Sequence, residues 1–440
     1  MIGGDETRPV AGKPTAILPR RTGRRATAWL CVVATLCACA SLPLAAAPAD
    51  VGVSAERLAR VAPVMQRYID DGRVAGSVVW VQRQGEDLML QAFGYRDREK
   101  QDPMTTDTIF RIASMTKPIV TAAVMMLQEE GKLLLADPVA KYLPEFAKTR
   151  VAVAKEGGYD VVDANREITI RDLLTHTSGV AYGDGVAKDQ WAAAGIQGWY
   201  FAGRDEPIRE TVRKIAPLPF EAQPGERFVY GYGLDVAGAL IEVASGLPLD
   251  AYLREQIFDP LDMRDTYFFL PKTKRDRLAV VYAPTDDGKL VRAPDGDGMN
   301  RQGRYVDGPR KCFSGGAGLV STARDYGRFL QALLNGGVLG DVRILSPSSV
   351  DLMTVNELGR IAYEPGVGFG LGFSVVTDVG ARGVPGSVGE FGWGGAYRTV
   401  FWVDPEKALI VLYLTQISPW TDIDDAQKLR ALVYQAITGD

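Results

Sequence analysis

Ser114-Met115-Thr116-Lys117 is the only Ser-x-x-Lys in the chain, and three-residue spacing sets both side chains on one face of a helix. Val120, Ala123, Val124 and Leu127 continue an apolar stripe behind it, Gly131 can end the helix, and Pro118 falls in the first turn, where a missing N–H costs least. A serine at a helix N-terminus presents its own backbone N–H to a developing oxyanion, and a lysine one turn on can draw off or orient the hydroxyl proton. The chemistry this permits is acyl transfer through a covalent serine intermediate. A solvated lysine is protonated at neutral pH, so burial or a cationic or hydroxyl neighbour must lower its pKa, or another group must take the proton.

Two further segments carry groups such a reaction needs. Pro224-Gly225-Glu226-Arg227-Phe228 reads as a turn, after which Tyr230-Gly231-Tyr232-Gly233 leads into a helix with Leu234, Ala237, Ile241 and Ala244 on one face. A phenol fixed at that helix start can reach the site and share the proton with Lys117; the plainer role for a lone tyrosine is packing at the core edge. Gly392-Trp393-Gly394-Gly395-Ala396 stands directly before a strand at 399; its glycines would let an acyl group approach the backbone, so that a strand N–H can be a second oxyanion donor, and the plainer reading is a Gly-rich turn beside that strand. None of the 14 serines sits in a Gly-x-Ser-x-Gly frame, so the strained elbow of the α/β-hydrolases is absent. His176 is the only imidazole, which excludes HExxH zinc hydrolysis and His-cage metal sites; neither metal nor cofactor is expected.

The elements that must hold these groups come from both chain ends. Residues 54–71 read as an amphipathic helix capped by Ser54, with Leu58, Val61, Met65 and Tyr68 on its apolar face. Strands over 77–83 and 88–95 flank a turn at 84–87, and strands over 399–403 and 408–415 flank a turn at 404–407. A closing helix carries Ala426, Leu429, Val433 and Ile437. The middle is mostly helical pattern broken by long loops at 150–166, 181–210 and 283–312, the second carrying Trp191, Trp199, Tyr200 and Phe201 as a candidate apolar pocket wall. The expected class is α+β: one antiparallel sheet from both ends, helices against it, and a helical region inserted between.

Composition narrows the function classes. The chain has 440 residues, 50 Lys and Arg against 54 Asp and Glu, and 46% apolar residues, enough for a large core. A formal charge of -4 supplies no basic surface for phosphate backbones, so no nucleic-acid partner is expected. Arg20, Arg21, Arg24 and Arg25 precede an uncharged stretch from Ala26 to Leu44 that ends in Ala45-Ala46-Ala47. Residues 1–47 therefore read as an export signal cut near Ala47, with a retained anchor or a lipoprotein site at Cys39 as alternatives. The body, about 48–440, is then expected in the periplasm or outside the cell, with no membrane contact unless the leader is kept or lipidated. Cys31, Cys37 and Cys39 lie in the leader, so Cys312 alone would remain and no intrachain disulfide could form.

The three chemical elements, in this order and at these distances, resemble the serine β-lactamase and penicillin-binding superfamily, specifically its class C β-lactamase-like branch, over about residues 52–438. Leu173-Leu174-Thr175-His176-Thr177-Ser178-Gly179, Asp137-Pro138-Val139 with Tyr142-Leu143-Pro144, and Ser314-Gly315-Gly316-Ala317-Gly318-Leu319 with Asp325-Tyr326 add to the likeness. The resemblance implies a β-lactamase-like fold, its sheet part from about 52–110 and 315–440 and its helical part from about 111–314. It also implies that Ser114 is the acylated nucleophile, Lys117 its proton partner, Tyr230 the general base or acid, and the N–H groups of Ser114 and Ala396 the oxyanion hole. Trp393, Gly394, Gly395 and Tyr232 would face the substrate, and His176 would be structural, making a capping or core hydrogen bond.

Two departures bear on substrate. Tyr232 stands where the β-lactamases usually carry an Asn that contacts the antibiotic's amide side chain, and Trp393-Gly394 replaces a cationic or polar residue followed by Thr that faces the substrate carboxylate. The Tyr-Gly-Tyr and Trp-Gly-Gly variants look more like the family VIII carboxylesterases. A serine carboxylesterase acting on small to medium esters is therefore the leading expectation. A class C-like β-lactamase, a D-Ala-D-Ala peptidase and a penicillin-binding sensor that does not turn over are the alternatives.

Overall fold

In the computed structural model, which describes residues 48–420 and 422–439, the two chain ends share one antiparallel sheet. Its strands are β1 (Gly76–Arg83), β2 (Glu86–Asp97), β3 (Asp102–Pro103), β4 (Val367–Phe369), β5 (Ser374–Val376), β6 (Phe391–Gly395), β7 (Thr399–Asp404) and β8 (Leu409–Thr415). They lie in the order β4-β5-β6-β7-β8-β1-β2-β3, so the join between the chain ends is β1 against β8, in register from Ser77 opposite Thr415 to Arg83 opposite Leu409. The leader reading of residues 1–47 lies outside the described residues.

β1 and β8 are buried along their whole length, because helices cover both faces of the sheet. On one face Val79, Val81, Val411 and Tyr413 pack against Val61 and Met65 of α1 (Val61–Asp70) and against Leu429 and Val433 of the closing helix, Asp425–Tyr434. The opposite face, with Val78, Trp80, Phe401 and Leu412, joins the main core, which also holds α2 (Thr116–Glu129), α3 (Gly233–Ser245) and α4 (Ala323–Leu334). The closing helix is α5. This is the expected α+β, β-lactamase-like architecture.

Some expected elements differ in detail, each for a local reason. The helix expected over 54–71 is two pieces, a capped turn at Ala55–Leu58 and then α1. Pro63 has no N–H for the carbonyl of Ala59 and its ring would collide with that carbonyl, so the helical ladder breaks there. The first hairpin turns on Gln84 and Gly85 alone, both at positive φ, and β2 already begins at Glu86. The stretch 150–166 is a hairpin rather than a loop, with Val151 opposite Val162 and Ala152 opposite Val161, its turn made at Gly157 with φ +77°. Short elements also interrupt the other two long connections: a helix at Lys188–Ala193, and a hairpin of Tyr282–Pro284 with Leu290–Arg292.

The Gly-rich segment before 399 is itself strand β6, not a turn. It pairs with β7 from Phe391 opposite Val403 to Gly395 opposite Thr399. On its other side β5 pairs with it only at Phe391 and Gly392. Residues 393–395 are therefore a free sheet edge beside the nucleophile.

Candidate active site

Ser114 is set by a short strand, a strained turn and a helix. Phe110–Arg111 pairs with Val320–Ser321, Ile112 donates its N–H to Leu319 O at 3.1 Å, and Ala113 then takes φ +40°, a region a non-glycine residue enters only under constraint. A 3-10 turn over Ala113–Met115 passes into α2. Tyr326 of α4 donates its hydroxyl proton to Met115 O at 2.9 Å, and Thr116 Oγ1 accepts Leu319 N–H at 3.0 Å, so the turn is fixed from two elements. A β-carbon on Gly395 would stand 2.3 Å from Ile112 O, which is why a glycine lets the edge of β6 close against this turn. That approach brings the peptide of Ala396, just past β6, to the cavity that Ser114 also lines.

Lys117, one turn along α2, is fully buried. Its Nζ lies 3.2 Å from Ser114 Oγ, 3.0 Å from the Tyr182 hydroxyl and 2.8 Å from Gly316 O. Asp235 fixes that carbonyl: its Oδ1 accepts Ser314 Oγ–H at 2.6 Å and Gly316 N–H at 3.1 Å. A β-carbon on Gly316 would meet Asp235 Oδ2 at 2.3 Å, so the loop can seat on the carboxylate only as glycine. Burial raises the pKa of Asp235, and the Ser314 hydrogen bond, the Lys117 charge and the Gly316 N–H oppose it.

Ser114, Lys117 and Tyr230 come together, but not in the pairing expected. Lys117 Nζ stands over the face of the Tyr230 ring, 4.5 Å from its centroid, and the phenol it hydrogen-bonds is Tyr182. Burial, and after it the charges of Tyr230, Asp235 and Tyr232, push the Tyr182 hydroxyl well above the usual phenol range. Tyr232 does not face the cavity. It is fully buried behind Tyr182, donates to Gly198 O at 2.7 Å, and stacks on Phe201 and Trp191, because an aromatic residue there finds an apolar slot between the helices. Its part is to back the Tyr182 loop.

His176 makes no side-chain hydrogen bond to any described residue, against expectation. At φ +56° it packs its ring 4.6 Å from Tyr230 and 5.5 Å from both Phe228 and Phe369. Burial and then the nearby Lys117 charge hold its pKa well below the usual imidazole value. It props the ring of Tyr230.

The cavity these groups share measures about 740 Å³. Ser114, Tyr182, Tyr230, Trp393, Gly394, Gly395 and Ala396 line one end, and Trp199, Phe228, Tyr363 and Trp420 give it aromatic walls. Of the four aromatics expected in the 181–210 segment only Trp199 lines it; Trp191 and Phe201 are core, and Tyr200 turns its hydroxyl elsewhere, accepting Arg304 N–H at 2.6 Å and donating to Asp297 Oδ1 at 3.2 Å. Two arginines border the far end, and each already faces a carboxylate. Arg398 bonds Asp425, and Arg430 makes a bidentate pair at 2.8 Å with Glu390, which Arg382 also contacts. Among the described residues no group of His, Cys, Asp and Glu converges as a metal site.

Sequence reasoning missed Tyr182 and Asp235. Tyr182 follows directly on the Leu173–Gly179 segment, and Asp235 sits one helical turn beyond Tyr230-Gly231-Tyr232; those neighbourhoods were the only signals.

Comparison with known proteins agrees with this geometry. The family profile described as Beta-lactamase matches residues 61–435. Protein Rv1367c of Mycobacterium tuberculosis is 38% identical, over 82% of this chain and 90% of that protein. Esterase EstB of Burkholderia gladioli is 36% identical, over 82% of this chain and 91% of its own. Among solved structures, EstCE1, described as a hydrolase with promiscuous acyltransferase activity, superposes with a TM-score of 0.74 at 31% identity, covering 86% of this chain and 99% of that one.

Proposed function

The chain belongs to the Beta-lactamase family, and from that premise we propose that it is a serine carboxylesterase, acting on uncharged small to medium esters through an acyl-enzyme on Ser114. The observation that carries this reading is Ser114 and Lys117 in hydrogen-bond reach at one end of an aromatic-walled cavity of about 740 Å³.

Ser114 Oγ attacks the ester carbonyl carbon while its proton passes to Lys117. As a free amine, Lys117 would donate to Gly316 O and to a phenol oxygen and keep its lone pair for the serine proton. The N–H groups of Ser114 and Ala396 hold the tetrahedral oxyanion. Collapse breaks the bond to the alcohol oxygen, which leaves as the alcohol after the proton taken up by Lys117 passes to it through Tyr230, whose phenol lines the cavity beside that of Tyr182. Water then attacks the acyl-enzyme, gives up a proton by the reverse route, and releases the carboxylic acid with Ser114 restored. Tyr182 is the hydrogen-bond partner that holds Lys117 in place.

The preference for esters over β-lactams follows from charge. Trp393 and Gly394 offer no cation to a substrate carboxylate, and Arg398 and Arg430 are committed to Asp425 and Glu390. An anionic antibiotic would lose its hydration without gaining a partner, whereas a neutral ester loses little. The test compares short and longer p-nitrophenyl esters with a chromogenic cephalosporin on one preparation. Ester turnover that greatly exceeds cephalosporin turnover, and vanishes in Ser114→Ala, is expected; a faster cephalosporin rate would reverse the assignment.

A further inference from the structure

A second cavity, of about 650 Å³, shares no lining residue with the first. Arg111, three residues before the nucleophile, lines it and is only 3% exposed. Its guanidinium donates from Nε to Gln302 O at 2.8 Å and from Nη1 to Ala279 O at 2.6 Å and Gln416 Oε1 at 3.3 Å. Tyr305 lies under it, ring centroid 5.6 Å away. The bonds to Gln302 O, Ala279 O and Gln416 Oε1 are those the guanidinium makes among the described residues, so Nη2 has no acceptor there and no carboxylate pairs with the group.

Two other buried arginines frame the case. Arg398, almost as buried, has Asp425, whereas Arg83 is answered only by the carbonyls of Val51, Gly52, Lys407 and Gly439 but lines neither cavity. Around the second cavity the remaining cations are also matched: Arg96 with Asp102, Lys100 with Asp97, Arg275 with Asp307, Arg292 with Asp295 and Arg304 with Asp297, while Asp276 adds one further carboxylate to the lining. A guanidinium cannot shed its proton to escape burial, so Arg111 carries a full charge that protein groups answer only with neutral dipoles. Burial lowers its pKa, the phenols of Tyr397, Tyr305 and Tyr200 oppose this, and Arg292 adds a smaller push downward. The open Nη2 edge has the planar donor geometry that suits an oxyanion.

We propose that this cavity is a binding site for one small oxyanion, a carboxylate or a phosphate, seated on the free edge of Arg111. The site stands independently of the esterase reading. It lies behind the nucleophile strand, where Gln416 grips the Arg111 peptide from both sides, accepting its N–H at 3.1 Å and donating to its carbonyl at 3.0 Å while also accepting Nη1–H. An occupant would therefore tighten the segment that leads to Ala113 and Ser114.

Thermal melting of the protein in sodium phosphate, sodium acetate and sodium chloride at matched pH and ionic strength tests this, with isothermal titration of inorganic phosphate and of acetate alongside. A saturable rise in Tm of about 2 °C or more over chloride, with phosphate, acetate or both, is expected, because a ligand that binds only the folded chain stabilises it. Which anion gives the rise separates a tetrahedral from a planar guest. Arg111→Met should lose the rise, and Arg111→Lys, a point charge without the fork, should need at least about threefold more anion for half effect. The proposal is overturned if the wild type shows neither heat of binding nor a rise over chloride for either anion, or if Arg111→Met keeps the full response. Should Arg111→Met not fold, the wild-type titration and Arg111→Lys decide.

Discussion

Lys117 and Arg111 are buried basic side chains on either side of one serine, and each lines or underlies a different cavity. Lys117 sits among a hydroxyl, a phenol and one carbonyl held in place by Asp235. Arg111 sits among two carbonyls and a glutamine oxygen. An amine in the first setting can exchange a proton with its neighbours, whereas a guanidinium in the second keeps a fixed charge. One stretch of chain thus supplies a movable proton on one side and a permanent field on the other.

The contrast is broken most forcefully at Ser114 and Lys117. Ser114→Ala should cost at least about a thousandfold in kcat on p-nitrophenyl acetate. Lys117→Ala should lose about a hundredfold to ten-thousandfold, and Lys117→Arg should not rescue it, since arginine restores the charge without the exchangeable proton. Recovery by Lys117→Arg would mean that charge alone matters there.

The two phenols sharpen the comparison next. Tyr230→Phe should lower kcat about a hundredfold with KM little changed, as expected for a proton donor to the leaving alcohol. Tyr182→Phe removes the hydrogen bonds that the hydroxyl shares with Lys117 and Tyr230 and should cost about tenfold in kcat. The opposite ranking would make Tyr182 the proton carrier.

Asp235 acts at one remove, so its effects are smaller and conservative replacement should repair them. Asp235→Ala frees the Gly316 carbonyl and should lower kcat about tenfold; Asp235→Asn, which can still accept from Ser314 and Gly316, should restore most of it.

The smallest effect concerns stability. His176 has its folded pKa depressed, mainly by burial, so the stability it contributes is fully present above its unfolded value of about 6.5 and is lost as pH falls below that toward the folded pKa. The loss is at most about 1.4 kcal/mol per pH unit. Denaturant melts between pH 7 and 5 should show this slope in the wild type and a flatter one in His176→Asn, which tolerates the left-handed backbone and cannot ionise.

Much of the architecture was legible because it depends on local patterning: the apolar runs of β1 and β8, the stripe of α2, and the Gly and Pro punctuation around them. The 150–166 hairpin was not, because its short alternating strands look like a polar loop until they find each other. That Ser114, Lys117 and Tyr230 come together was legible through motif spacing. Which phenol holds the lysine was not, since Tyr182 reaches Lys117 across a sequence separation of 65 residues by a fold of the intervening loop. Tyr232 was misplaced for a related reason: where the chain turns into a helix, residues two apart such as Tyr230 and Tyr232 can point to different sides, and only packing decides which one meets the cavity.

The most direct measurement is intact-mass analysis with peptide mapping after rapid mixing with a p-nitrophenyl ester and acid quench. A single acyl adduct on the peptide containing Ser114, formed before steady state and absent in Ser114→Ala, is the expected result. Undiminished turnover in Ser114→Ala, or an adduct that maps to any other residue, would contradict nucleophilic catalysis by Ser114.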